Sequence, residues 1–283
     1  MPLNSTSATS LPPRQLMERC CRTPWVSYLP PFRMAPGVYY VSGNDWVACY
    51  LIDTGAGLIL IDTAMHETCY LMLECIRSLG YDPMDIKKIL LTHAHADHIG
   101  AARTMKELTG ARVYLGERDL FMIHERKDLI CSDGYTCGDI EPDEIYLDDK
   151  PIVQGNVSVR TISTPGHTPG CTSMIFDVKE KDGRIYTCGI HGGVGLNTLS
   201  REFLEQNGLP LSLQKEFCES LRMMDRLHVD ICLPSHTNQV GIIPLIGEIT
   251  DTHNPFVDES IWHELMHERL DRMEALIRSV PLL

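Results

Sequence analysis

The chain has 283 residues, 43% of them hydrophobic and 22% charged, enough to bury a sizeable core, and this composition excludes a disordered or collagen-like protein. Its 25 Lys and Arg stand against 38 Asp and Glu, a formal net charge of −13, which argues against any general attraction to nucleic acid or to an anionic membrane. The longest clean apolar run, residues 46–52, falls far short of the ~20 residues of a spanning helix, and eleven irregularly spaced cysteines fit free thiols in a reducing cytoplasm better than a disulfide scaffold.

Residues 1–23 are polar and rich in Ser, Thr and Pro, and read as a flexible N-terminal arm. No charged start followed by an apolar run is present there, so no secretory signal is expected. The adjacent Cys20 and Cys21 would strain a mutual disulfide and are read as ordinary thiols. One domain is expected over residues 24–283. It opens with the apolar runs GVYYVS, WVACYLID and GLILID, separated by turn residues, an antiparallel start. Helical spacing follows over residues 70–79, with Gly80 at the C-cap.

The run IKKILL then leads into THAHADH, and Asp97 opens a helical stretch that stops at Thr109-Gly110. Strand-like runs return at ARVYLG, DEIYLD, VSVRTI, TSMIFDV and RIYTCG, helical spacing resumes over residues 211–227, and VDICLP precedes Ser235-His236. Residues 257–280 read as one amphipathic helix with Trp262, Leu265, Met273, Leu276 and Val280 along its apolar stripe. Two blocks of strands, each with helices, predict an α/β fold, a four-layered αβ/βα sandwich with paired sheets inside.

The chemistry concentrates in residues 93–98. His93, His95 and Asp97 alternate with alanines as the chain leaves a buried strand, and period two puts them on one side. If the backbone stays extended through His95 and then turns into a helix, the two imidazoles can share one metal while Asp97 and His98 face a second. Three histidines and an aspartate in six residues are costly to desolvate without a metal. His167, held between two Pro-Gly pairs after VSVRTI, and His236, after VDICLPS, also stand just past apolar strands, at the edge where α/β folds place their sites.

With these residues the chain resembles the metallo-β-lactamase superfamily, most nearly the third subclass of zinc β-lactamases, through THAHADH, STPGHTPGCTS, LPSHTNQ and NPFVD. The resemblance implies two zinc ions, His93, His95 and His167 on the first, and Asp97, His98 and His236 on the second. It departs from the family at CGIHGG, where Ile190 stands in place of a bridging aspartate, or of the Cys or Ser of the best-known lactamases. That lowers the expectation for aspartate-dependent relatives and removes a serine that helps to hold a β-lactam carboxylate.

The implied function is a zinc-dependent hydrolase of a cyclic amide or ester, acting on a small molecule. Zinc lowers the pKa of a bound water to about 7, so a metal-bound hydroxide is the expected nucleophile, with Asp97 as the catalytic carboxylate that orients it. A lactonase or thioesterase of the same superfamily is the alternative, followed by an iron-dependent oxidoreductase and a non-catalytic binding protein. His191, Asn197 and the stretch over residues 128–139 are candidate cleft residues for substrate. Two decoys are set aside. Ser235 beside His236 is not thereby a triad in space, and His263-Glu-Leu-Met-His267, which fits the H-E-x-x-H zincin pattern, falls on the charged side of the last helix.

Overall fold

The strands separate into two sheets in the computed structural model, which describes residues 11–131, 137–250 and 252–279. The first sheet places β1 (Phe32–Ala35), β2 (Val38–Tyr40), β3 (Tyr50–Asp53), β4 (Leu58–Ile61), β5 (Ile86–Leu90), β6 (Arg112–Leu115) and β7 (Glu144–Ile145) side by side in chain order. Pairing is antiparallel from β1 to β4, as the turn residues predict, and parallel from β4 to β7. The second sheet contains β8 (Ile152–Gln154), β9 (Val157–Ser163), β10 (Thr172–Lys179), β11 (Ile185–Ile190) and β12 (Ile231–Cys232), in the order β12-β11-β10-β9-β8. Only the β11–β12 pair is parallel in it.

Strand period two then sorts the side chains into layers. In β4, a run of four apolar residues, Leu58 and Leu60 enter an outer core while Ile59 and Ile61 enter the core between the sheets. Met174, Phe176 and Val178 of β10 meet them there, and Ile175 points the other way into a third core. Helices α1 (Pro13–Arg22), α2 (Cys69–Ser78), α3 (Ala96–Ile99), α4 (Ala102–Thr109), α5 (Leu120–His124) and α6 (Lys127–Ile130) cover the outer core, contributing Leu16, Met72, Ile99, Met105, Met122 and Ile130. On the far side α7 (Arg201–Gln206), α8 (Ser212–Asp225) and α10 (Glu259–Arg278) close the third core with Leu204, Phe217 and Trp262, and the short α9 (Ile242–Leu245) sends Ile242 between the sheets. The layers are therefore helices, sheet, sheet, helices, the expected four-layered α/β sandwich.

Three expectations need correction. The flexible arm holds a helix: α1 starts at a Pro-Pro step that presets helical φ, and Leu16 and Cys20, one turn apart, are buried, so the segment is docked. Arg19 also pairs with Asp45. The remainder of the arm, residues 1–10, lies outside the described residues. The helix expected from Asp97 to Thr109 is two helices, α3 and α4, broken at Gly100-Ala101. There the carbonyl of His98 accepts from Thr63 N at 2.8 Å, Ala101 N donates to the carbonyl of Ala64 at 3.3 Å, and a Cβ at Gly100 would come within 2.7 Å of His66 N. The strand expected over residues 46–53 is regular only from Tyr50, because Val47 bridges to His236 of the other half.

The last helix runs as predicted from its Asp258 N-cap, whose carboxylate accepts from Ser260 N at 3.0 Å. Trp262 is fully buried and donates to the carbonyl of Met224 at 3.0 Å, and burial of such a side chain stabilises by about 2–3 kcal/mol. The proposed end of its stripe, Val280, lies outside the described residues. No helix among the described residues is long and apolar enough to cross a membrane.

Candidate metal centre

Five strands lead to polar residues: β4 to Asp62, β5 to His93, β9 to His167, β11 to His191 and β12 to His236. At His95 the backbone is extended, with φ −86° and ψ 149°, and α3 begins at the next residue. That is the turn needed to put His93 and His95 on one side and Asp97 and His98 on the other. Two sets of three donor atoms result, His93 with His95 and His167, and Asp97 with His98 and His236, each set within 4.8 Å of one another.

Ring centroids of His95 and His167 are 4.5 Å apart, and His95 Nδ1 lies 3.0 Å from His167 Nε2. Two nitrogens bound to one tetrahedral zinc at ~2.0–2.1 Å would stand about 3.3 Å apart, so the pair is nearly at ligand spacing. His98 Nε2 lies 3.3 Å from His236 Nε2, and Asp97 Oδ2 is 3.7 and 3.6 Å from these two atoms.

Neighbouring groups select which nitrogen is free. Asp62 accepts from Thr92 N at 2.7 Å, from the Thr92 hydroxyl at 2.8 Å and from His98 Nδ1 at 2.7 Å. With its proton given to Asp62, the Thr92 hydroxyl accepts from His93 Nδ1 at 3.0 Å. His167 Nδ1 donates to the carbonyl of Gly195 at 3.0 Å, and the Thr198 hydroxyl bonds the His167 carbonyl at 2.6 Å. These bonds leave Nε2 of His93, His98 and His167 with lone pairs directed at the site, the second-sphere pattern of metal-bound histidine. Nε2 of His93 is buried without any hydrogen-bond partner, which is the cost a bound cation would remove.

The electrostatics agree. Burial, helped by the neighbouring imidazoles, holds His93 and His167 far below the ordinary histidine range. Burial likewise lowers His95 to about 4 and His236 to about 3, so four of the five imidazoles are neutral. Burial would raise the Asp97 carboxyl, but the imidazoles around it, His98 foremost, outweigh that and hold it below the ordinary carboxylate value. One carboxylate and five imidazoles form a donor set suited to zinc.

The other candidates fall outside this constellation. Ile190 is fully buried between the sheets opposite Met174, an apolar side chain that contributes no ligand. His191 is 3% exposed, its Nδ1 accepting from Gly193 N at 3.2 Å and its ring 6.5 Å from that of Phe217. Asn197 is exposed on the loop that wraps His167: a Cβ at Gly195 would stand 2.9 Å from Asn197 Oδ1 and 2.8 Å from His167 Cε1. Ser235 bonds Gln239 and no histidine, and His263 and His267 both bond Asp225, at 2.9 and 3.1 Å. Of the stretch over residues 128–139, residues 132–136 lie outside the described residues.

Sequence reasoning missed Asp62, Thr92, Asp119 and Thr198. Asp62 had a signal, a carboxylate directly after a strand whose four residues are all buried and apolar. It adopts φ 57°, a conformation that only a well-determined site retains in a non-glycine residue.

Comparisons with known proteins place this geometry. Residues 45–180 match the family model of the metallo-beta-lactamase superfamily. Among curated proteins, the lactamase-like protein nscB of Neosartorya fischeri is 28% identical over 246 residues, 85% of this chain and 62% of that protein. An N-acyl homoserine lactonase of a Bacillus species is 27% identical over 165 residues, 49% of this chain and 61% of that protein. The chain thus spans less than two thirds of the length of either relative. Among solved structures, BJP-1, a subclass B3 metallo-beta-lactamase of Bradyrhizobium japonicum, superposes with a TM-score of 0.81 at 25% identity, covering 92% of this chain and 97% of that one. The likeness read from THAHADH and the later histidine motifs holds for the fold as a whole.

Proposed function

We propose that this chain, with the fold and ligand pattern of the metallo-β-lactamase superfamily, is a zinc-dependent hydrolase that opens a cyclic amide or ester of a small molecule. The observation that carries the reading is the pair of three-ligand sets at one sheet edge, with ring protons held outward by Asp62, Thr92 and the Gly195 carbonyl. Two zinc ions held there would supply Lewis acidity for a carbonyl oxygen and a water acidified towards neutral pH. His93, His95 and His167 would hold the first ion, and Asp97, His98 and His236 the second. Asp97, the single carboxylate of the six, is held ionised and would accept a hydrogen bond from the attacking water, fixing its direction.

Trp46, 6% exposed with its ring 5.0 Å from that of His236, shields the second set from water, which strengthens every charge interaction in it. Asn197, exposed on the loop beside His167, would meet the substrate's polar groups. Ring opening is the chemistry shared by the names of the lactamase-like, lactonase and β-lactamase relatives. The apolar Ile190 leaves no side-chain hydroxyl there for a β-lactam carboxylate, which argues against antibiotic β-lactams within that class.

A hydrolase panel of β-lactams, acyl lactones, thioesters and phosphodiesters on zinc-loaded protein tests this. Chelator-sensitive ring opening of a lactone or lactam is expected. Iron content with oxygen consumption, or stoichiometric zinc with no turnover of any member, would overturn it.

A further inference from the structure

Asp119, at the start of α5, is fully buried and belongs to no ligand set. Its Oδ2 accepts from the backbone N–H of Ala94 and from the Thr168 hydroxyl, both at 2.8 Å, and its Oδ1 accepts from Gly170 N at 2.6 Å. Ala94 lies between His93 and His95, and Thr168 follows His167. One carboxylate therefore ties together the two loops that carry the first three ligands. Contact there is close: a Cβ at Gly170 would stand 2.4 Å from Asp119 N, and one at Gly116 would stand 2.0 Å from the Gly170 carbonyl oxygen. Near it in the chain Leu115, Met122 and Ile123 are apolar and buried. A buried carboxylate in such a place costs free energy unless its oxygens are bonded, and here all three donors come from the ligand loops.

We propose that Asp119 is a positioning residue for the first metal site: it sets the distance between the His93–His95 segment and His167 so that three nitrogens converge. Asp62 serves the other set, through His98, and reaches the first only through Thr92 and His93. Asp62 thus touches both sets and Asp119 the first alone, so loss of Asp119 should fall on one site. This rests on the reading of His93, His95 and His167 as metal ligands.

The test isolates each site. In a His236→Ala background, which keeps the first set, Asp119→Asn retains an acceptor for Gly170 but turns an amide donor towards Ala94 N–H. Zinc affinity, measured by competition with a chromophoric chelator, is expected to fall by about 10–100-fold, the usual cost of losing a second-sphere partner. In a His167→Ala background, which keeps the second set, the same substitution should change affinity by less than about twofold. Thr168→Val, which removes one donor and leaves the carboxylate, keeps the question answerable if Asp119→Asn does not fold, and should give a smaller loss confined to the first site. Equal losses in both backgrounds, or a folded Asp119→Asn or Thr168→Val protein with the parent's affinity, would overturn the inference. Failure of the unsubstituted protein to bind zinc at all would instead refute the ligand assignment beneath it.

Discussion

Asp62 and His98 meet at 2.7 Å in a place where neither is exposed to solvent, and the same carboxylate reaches His93 through the Thr92 hydroxyl. Both ligand sets are thus oriented in part by one residue at the end of β4. Asp62→Ala should strand the Thr92 N–H and the His98 Nδ1–H, at about 1–3 kcal/mol for each unsatisfied donor. Urea unfolding should register that loss, and zinc titration should show weakened binding at both sites. A variant as stable as the parent would show that these bonds contribute little.

Purified protein is expected to hold two equivalents of zinc and to lose hydrolysis on chelation. His93→Ala or His167→Ala should abolish turnover, because each removes one of three ligands from the first set. Metal analysis with parallel rate measurement checks both.

Asp97→Asn deletes the only carboxylate among the six proposed ligands, so a single neutral amide replaces the sole anionic donor of the second set. The second zinc should leave first on chelator titration of the parent and be missing from this variant, while the first remains. Two tightly held ions in Asp97→Asn would show that the ligand set is wrong.

Ile190 is fully buried among apolar side chains at the end of β11, the strand whose next residue reaches the site edge. Ile190→Asp should therefore destabilise metal-free protein strongly, by several kcal/mol for an unpaired buried charge. If position 190 approaches the ions as the family likeness implies, zinc should recover much of that loss, raising the melting temperature more in the variant than in the parent. An equal zinc-dependent rise in both would place the side chain out of reach of the metals.

His191 supplies a pH dependence independent of the ligands. Burial lowers it to about 3 in the folded chain, against an ordinary value near 6.5. The unfolded chain takes up its proton as pH falls through about 6.5 while the folded chain does not, so stability should decline from there down to about pH 3 and be unaffected above. His191→Phe should flatten that part of the stability–pH curve in metal-free protein, as measured by chemical denaturation. Asp225, beside His263 and His267, is shifted in the same direction. Burial would raise it, but bonds from the two imidazoles hold it lower, so its small contribution is lost only in stronger acid.

Much of this molecule follows from residue order. Alternation of His93, His95 and Asp97 with small alanines, at the end of an apolar strand, is a local pattern, and local geometry suffices to place those side chains on one side. His167 and His236 were legible because each follows a strand, and strands of this kind end at a shared edge. The four layers could be read from the strand and helix periods. The docking of α1, the break between α3 and α4 and the irregular start before β3 could not, since each depends on partners far along the chain: the outer core, residues 63–64 and His236. Asp119 had no motif to mark it, and Asp62 only its place after an apolar strand. Their donors lie between 25 and 51 residues away in sequence, and a buried carboxylate acquires its role only when the fold brings those donors to it.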